Sequence, residues 1–220
     1  MNFSRKVMGL VAALGVAFSL AGCGINDIPA KDQAVKAQWA NVQAAYQRRA
    51  DLIPNLVNTV QGYANQEKSV LVEVTQARAQ ATHVSIDAST VNDPAKFAEF
   101  QQAQDKLSGV LGRLMSINEQ YPDLKSDENF LALQSQLEGT ENRIAVARRD
   151  YNDSVQSYNT ELVTFPGVLW KGTMYKDYKP MNLFSASSQA QSAPTVNFNI
   201  AAPQGASSAP AAAPGSAPPK

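Results

Sequence analysis

The sequence predicts an all-α fold of long helices packed antiparallel as a bundle, on three observations. Apolar residues recur at intervals of three and four over three long segments, no alternating stretch in that region competes as a strand, and the connections between segments are short. Composition agrees with one soluble body plus tails: of 220 residues, 44% are hydrophobic and only 8% aromatic. Lys+Arg and Asp+Glu number 19 each, so no excess of positive charge is available to hold a phosphate backbone, and nucleic acid is not an expected partner. A single cysteine, Cys23, and a single histidine, His83, cannot form a disulfide framework, a Cys/His zinc cage or a repeated-His site, so no metal and no cofactor is expected.

The N-terminus reads as a secretory leader. Arg5 and Lys6 precede the apolar stretch Val7 to Leu20, which is too short for a membrane span of roughly 20 residues. It ends on Leu20-Ala21-Gly22-Cys23, which resembles the lipobox of bacterial lipoproteins. That resemblance implies a signal peptide over 1–22, a lipid on the Cys23 thiol, and a short tether over 23–30. Without Arg5 and Lys6 the mature chain carries 17 basic and 19 acidic residues, a net charge of −2, so attachment rests on lipid rather than on a polybasic patch. In a host with two membranes, the sorting rule for lipoproteins favours the outer one, facing the periplasm.

From Lys31 to His83 the helical register runs through Trp39, Val42, Tyr46, Ile53, Leu56, Val60, Tyr63, Val70, Val74, Ala77 and Ala81. Pro54 lies inside it, which predicts a kink or a break near Asp51 to Pro54, and the segment is read as two helices. A second segment opens at Asp93-Pro94, an N-cap followed by proline at the first helical position. It carries Phe97, Phe100, Leu107, Val110, Leu111, Leu114, Ile117 and Tyr121, and stops at Pro122. A third starts at Ser126 or Asp127 and places Phe130, Leu137, Ile144, Tyr151, Tyr158 and Phe165 at intervals of seven. The bundle is thus expected over residues 31–184, with Val168 to Phe184 as a loop strapped onto its end that admits a short helix.

Residues 185–220 are a tail in which 29 of 36 are Ala, Ser, Pro, Gln or Gly, a composition that buries too little to offset the entropy of ordering. Disorder is predicted there, interrupted by Thr195 to Ile200. Val196, Phe198 and Ile200 alternate with polar residues, as in a segment that adds a strand to an exposed sheet edge on a partner.

No catalytic constellation emerges. His83 reads as a helix-end side chain. The acid pairs Glu138/Glu141 and Asp127/Glu128 read as solvated faces, and Gly109 and Gly112 lie inside a helical pattern rather than a phosphate loop. The charges near the seams are more informative. Arg49 and Glu67 fall on the apolar register itself, and both are predicted to be paired within the bundle, because an unpaired charge in a seam costs several kcal/mol. Arg48, Asp51, Asn55, Glu138, Glu141, Arg143, Arg148 and Arg149 complete the candidates for pairing across the bundle or for interaction.

Two motifs carry a family resemblance. Arg48-Arg49-Ala50-Asp51-Leu52-Ile53-Pro54-Asn55-Leu56-Val57, with Gly62-Tyr63-Ala64 and Glu67, resembles the first signature of the LemA family. Tyr121-Pro122-Asp123-Leu124-Lys125, Leu137-Glu138-Gly139-Thr140-Glu141-Asn142-Arg143-Ile144-Ala145, Ala147-Arg148-Arg149, Tyr151-Asn152, Tyr158-Asn159 and Phe165-Pro166 resemble its second half. The resemblance spans about Ala34 to Phe184. It implies a four-helix, up-and-down bundle at a bacterial membrane, without established catalytic residues. Many members carry an N-terminal transmembrane helix where this chain has a lipobox. The resulting expectation is a lipid-anchored, non-catalytic interaction or scaffold protein of the envelope. An enzyme or accessory hydrolase, or a purely structural envelope protein, is the alternative.

Overall fold

The computed structural model describes residues 24–83 and 90–185, so Cys23, the leader and the tail with Val196, Phe198 and Ile200 lie outside the described residues. Every regular element among the described residues is helical: α1 (Asp27–Tyr63), α2 (Lys68–His83), α3 (Pro94–Ser116), α4 (Pro122–Lys125), α5 (Glu128–Glu161) and α6 (Gly167–Thr173), with 3₁₀ turns at Asn65–Glu67, Thr90–Asn92 and Ile117–Gln120. Cross-helix contacts give the directions. Lys31 meets Glu161, Arg49 meets Glu141 and Tyr63 meets Asp127, so α1 and α5 run antiparallel along nearly their whole length. Arg78 reaches Ala50, which turns α2 back along α1, and Gln104 with Ala81 and Lys106 with Gln80 set α3 antiparallel to α2.

The caps follow the sequence. The Asp93 side chain accepts from the amides of Ala95 and Lys96 with Pro94 behind it, and Asp127 caps α5 by accepting from Phe130 N at 2.8 Å. That amide bond and the Tyr63 hydroxyl hold the Asp127 carboxyl below its ordinary value. Helix α1 starts at Asp27, within the stretch expected as tether.

Three expectations are corrected. The first helix does not break between Asp51 and Pro54; it passes through Pro54 and ends at Tyr63. Proline cannot donate to the carbonyl four residues back, at Ala50, and Arg78 Nε supplies that donor instead at 2.7 Å. The break comes at Ala64, which leaves helical geometry (φ −121°, ψ 54°) while remaining fully buried. Phe165 does not extend the seven-residue seam, because α5 ends at Glu161 and Phe165 stands 80% exposed. Pro122 does not simply stop the second segment: α3 ends at Ser116 and Pro122 opens α4.

The turn after α5 depends on a glycine. A Cβ at Gly167 would lie 2.1 Å from the Glu161 carbonyl oxygen, a backbone atom that cannot swing away. Gly167→Ala should therefore cost about 1–3 kcal/mol, the usual range for overpacking. A lowered urea midpoint is the expected result, with Gly172→Ala, where a Cβ meets nothing within 4 Å, as the neutral control.

Candidate functional site

The apolar interior falls into two clusters. One gathers Trp39, Phe97, Phe100, Tyr151 and Phe184, the other Ile53, Leu56, Leu107, Leu114 and Leu137. Arg49 sits in the register between them and is only 1% exposed. Its Nη1 donates to Ser108 Oγ and to Glu141 Oε1, both at 2.7 Å, and its Nη2 donates to Gln104 Oε1 at 2.5 Å. The guanidinium also lies 5.1 Å from the Tyr46 ring centroid. Gln104 in turn donates to the Ala81 carbonyl, so one cation reaches α1, α3 and α5 directly and α2 through a single amide. Helix geometry places it there, since residue 49 shares the inward face with Tyr46, Ile53 and Leu56.

A second polar assembly holds the chain after α6. Residues 179–185 run antiparallel to α5, captured almost entirely by their main chain. Asn159 Nδ2 donates to the Met181 carbonyl while its Oδ1 accepts from Met181 N, both at 2.9 Å. Asn152 does the same to Phe184, at 3.0 and 2.9 Å. The hydroxyls of Tyr158 and Tyr151 donate to the carbonyls of Lys179 and Asn182, and burial raises the pKa of both phenols so that they remain donors. Gln101 and Arg148 both donate to the Ser185 carbonyl, and Arg148 stacks 4.6 Å from the Phe184 ring. Phe184 thereby enters the aromatic cluster, 4.8 Å from Phe97 and 5.4 Å from Tyr151.

Of the residues marked from sequence, Arg49, Glu141 and Arg148 enter these assemblies. The others do not converge. Glu67 does not meet the opposite charge expected on a facing helix: α1 ends at Tyr63, so Glu67 is half-buried in the following turn and accepts from the Tyr121 hydroxyl at 3.4 Å. Arg48 and Arg143 line a groove of about 640 Å³ between α1 and α5. Asp51 accepts from Gln47, Glu138 accepts from Gln134, and Arg149 pairs with its neighbour Asp150, all on the exposed surface. The exposed Asn55 contributes its backbone carbonyl to the Thr59 hydroxyl. His83 is the exposed last residue of α2.

Sequence reasoning missed Gln104 and Ser108 as partners and Asn152 and Asn159 as clamps. The clamps carried a signal: two Tyr-Asn pairs seven residues apart put each asparagine beside the seam at a two-turn spacing. Among the described residues, no group of three His, Cys, Asp or Glu side chains is placed to hold a metal ion.

Glu141 is 47% exposed whereas its partner is buried, so the two sides of the pair are unequal. Glu141→Ala should cost about 3 kcal/mol, the lower end for stripping a buried charge of its partner, because water can enter beside it. In an Arg49→Met background the same substitution should cost far less. Urea unfolding of the two single variants and the double variant measures the coupling.

A profile of the LemA family covers residues 38–198. Protein LemA of Metamycoplasma hominis is 23% identical over 159 residues, covering 72% of this chain and 68% of that protein. Magnetosome protein MamQ 1 of Paramagnetospirillum magneticum is 26% identical over 158 residues, 64% of this chain and 58% of its own length. Magnetosome protein MamQ of Magnetospirillum gryphiswaldense is 25% identical over 147 residues, 60% of this chain and 54% of its own length. The chain thus spans little more than half of the magnetosome proteins. With a family match over most of its length, including both signatures, most of the helical body and the strap, the chain belongs to the LemA family.

Proposed function

We propose that this LemA-family chain is a lipoprotein of the bacterial envelope, anchored through Cys23, whose four-helix, up-and-down bundle acts as a non-catalytic interaction or scaffold module. The observation that carries this reading is where the polar side chains go. Arg49, Gln104, Asn152, Asn159, Tyr151 and Tyr158 engage one another or the strap's backbone, holding helices and chain in place. A catalytic centre instead needs donors and a nucleophile aimed at a shared point where a reacting atom can sit. Anchoring rests on Leu20-Ala21-Gly22-Cys23 after a short apolar leader. Among the described residues no helix is long and apolar enough to cross a membrane. In a two-membrane host the anchored bundle would face the periplasm from the outer membrane. The tail would extend its reach: 36 residues near polyproline geometry span on the order of 110 Å. Thr195 to Ile200 would pair with an exposed sheet edge on an envelope partner.

Cys23→Ser should abolish acylation, read as the mass of the first peptide of the mature chain, and should release the protein from membranes. A variant that keeps a lipid mass on that peptide refutes the anchor. For the partner, crosslinking in intact cells followed by mass spectrometry should recover a protein that is lost on deletion of 195–200, while the melting temperature stays unchanged. Unchanged recovery, or a marked fall in melting temperature, refutes the tail motif.

A further inference from the structure

Large apolar side chains left in solvent are unevenly placed. Of the exposed ones among the described residues, Val163 (68%), Phe165 (80%), Val168 (44%), Leu169 (55%) and Met174 (61%) crowd into the turn after α5 and the short helix α6. Exposed apolar residues scattered singly are ordinary on any surface, whereas a cluster marks a surface meant to be covered. The local packing explains why they face out. Leu162 and Gly167 are drawn inward, and Gly167 sits tight against the Glu161 carbonyl, which throws 163–166 outward. Trp170 packs on the aromatic core while its neighbours Val168 and Leu169 remain in solvent.

The described chain begins at this same end. Gly24 takes a positive φ of 96°, and a Cβ there would lie 3.0 Å from Pro166 Cγ, so the first described residue rests against the turn that carries the apolar cluster. Lys31 then bonds Glu161 at 2.5 Å, holding the start of α1 beside the end of α5. Cys23 is the next residue back, and adjacent Cα atoms are about 3.8 Å apart. A membrane engaged through that residue would lie beside the turn that carries the cluster. The local charge fits anionic headgroups: at this end Lys171, Lys176 and Lys179 stand against Asp177 and Asp27, with Lys31 and Glu161 paired to one another, a small positive excess in a mature chain that is acidic as a whole. Lysines at the rim of an apolar patch can lay their stems along it and keep the ammonium among phosphates.

We infer that the surface formed by Val163, Phe165, Val168, Leu169 and Met174 is a membrane-docking face, seated on the bilayer beside the anchor. Its side chains enter the boundary between headgroups and acyl chains, to a depth of roughly 5–10 Å. The anchor alone would leave the helical body free to swing; the docked end holds α1 and α5 with their far ends directed away from the lipid. The inference rests on the anchor reading for where the bilayer lies, and its test separates the two.

Two exposed leucines at opposite ends provide the probe sites. Leu169 lies in the face, whereas Leu131 is 48% exposed in the first turn of α5, roughly 45 Å from its last turn at 1.5 Å per residue. Full-length Leu169→Trp and Leu131→Trp proteins are purified with their native N-terminus. They are reconstituted into vesicles of phosphatidylethanolamine and phosphatidylglycerol, with or without bromine on the acyl chains. The emission added by Leu169→Trp should be largely lost in brominated vesicles and that added by Leu131→Trp retained. Val168→Trp repeats the measurement at a neighbouring site should Leu169→Trp fold poorly. Equal emission in both kinds of vesicle at 168 and 169 overturns the face and leaves it to a protein partner or a second copy. The mass of the first peptide, read on the same samples, tests the anchor separately. An acylated chain without quenching keeps the anchor and loses the face, and a quenched chain without acylation keeps the face and loses the anchor.

Discussion

The arrangement of the long helices turns on one buried cation. A guanidinium taken out of water costs several kcal/mol, and it is tolerated only where acceptors converge on it from several directions at once. Arg49 finds them on α3 and α5, while Gln104 passes the connection to α2. Apolar contacts on either side are strong but permissive, because a leucine seam can slide by a turn at modest cost. The polar layer cannot slide. Moving α3 by one turn, about 5.4 Å, would take away Ser108 and Gln104, and moving α5 would take away Glu141, so either shift leaves part of the Arg49 guanidinium without its acceptors. The two apolar clusters supply most of the stabilisation, and the layer between them selects one register.

The strap answers a different problem. An extended segment lying on a helix has no ladder to join, yet its amides and carbonyls are partly shielded from water. The carboxamides of Asn152 and Asn159 each supply one donor and one acceptor, the same pair that a neighbouring strand would offer. Because they bind main chain, they set the position of the segment without depending on its side chains. Specificity enters through Met181 and Phe184, which are buried and spaced to fall at the two clamped residues. Phe184 also closes the aromatic cluster around Trp39, so the strap completes the core rather than decorating it.

The end of the helical body joins three features that arise from separate parts of the sequence. The tight Phe-Pro-Gly turn, the exposed apolar residues of α6 and Gly24, the residue at which the described chain begins, meet there because α1 and α5 are antiparallel and held together by Lys31 and Glu161. Antiparallel packing places the beginning of the first long helix beside the end of the last. The anchor proposed before α1 and the docking face proposed after α5 would then act on one membrane.

Much of this was legible in the residues themselves. Helical periodicity marked α2, α3 and most of α5, and Asp93-Pro94 and Asp127 marked two of their starts, because caps and amphipathic faces are local properties of a few turns. An inward charge at Arg49 was also visible, as an interruption of the apolar register. What the register could not supply was the partner, since Glu141 lies 92 residues away on a helix whose rotation is set by packing. The same limit explains Pro54. Its missing amide predicts a break, yet the carbonyl it leaves free is satisfied by Arg78 from another helix, and the real break at Ala64 comes where α2 folds back. By itself, then, the sequence determined the all-helical class, the capped starts of α3 and α5, and the family to which its motifs belong. The tertiary structure alone decided which charges met, where α1 ended and α5 stopped, and which asparagines became clamps, because each depends on a donor or acceptor brought from a distant part of the chain.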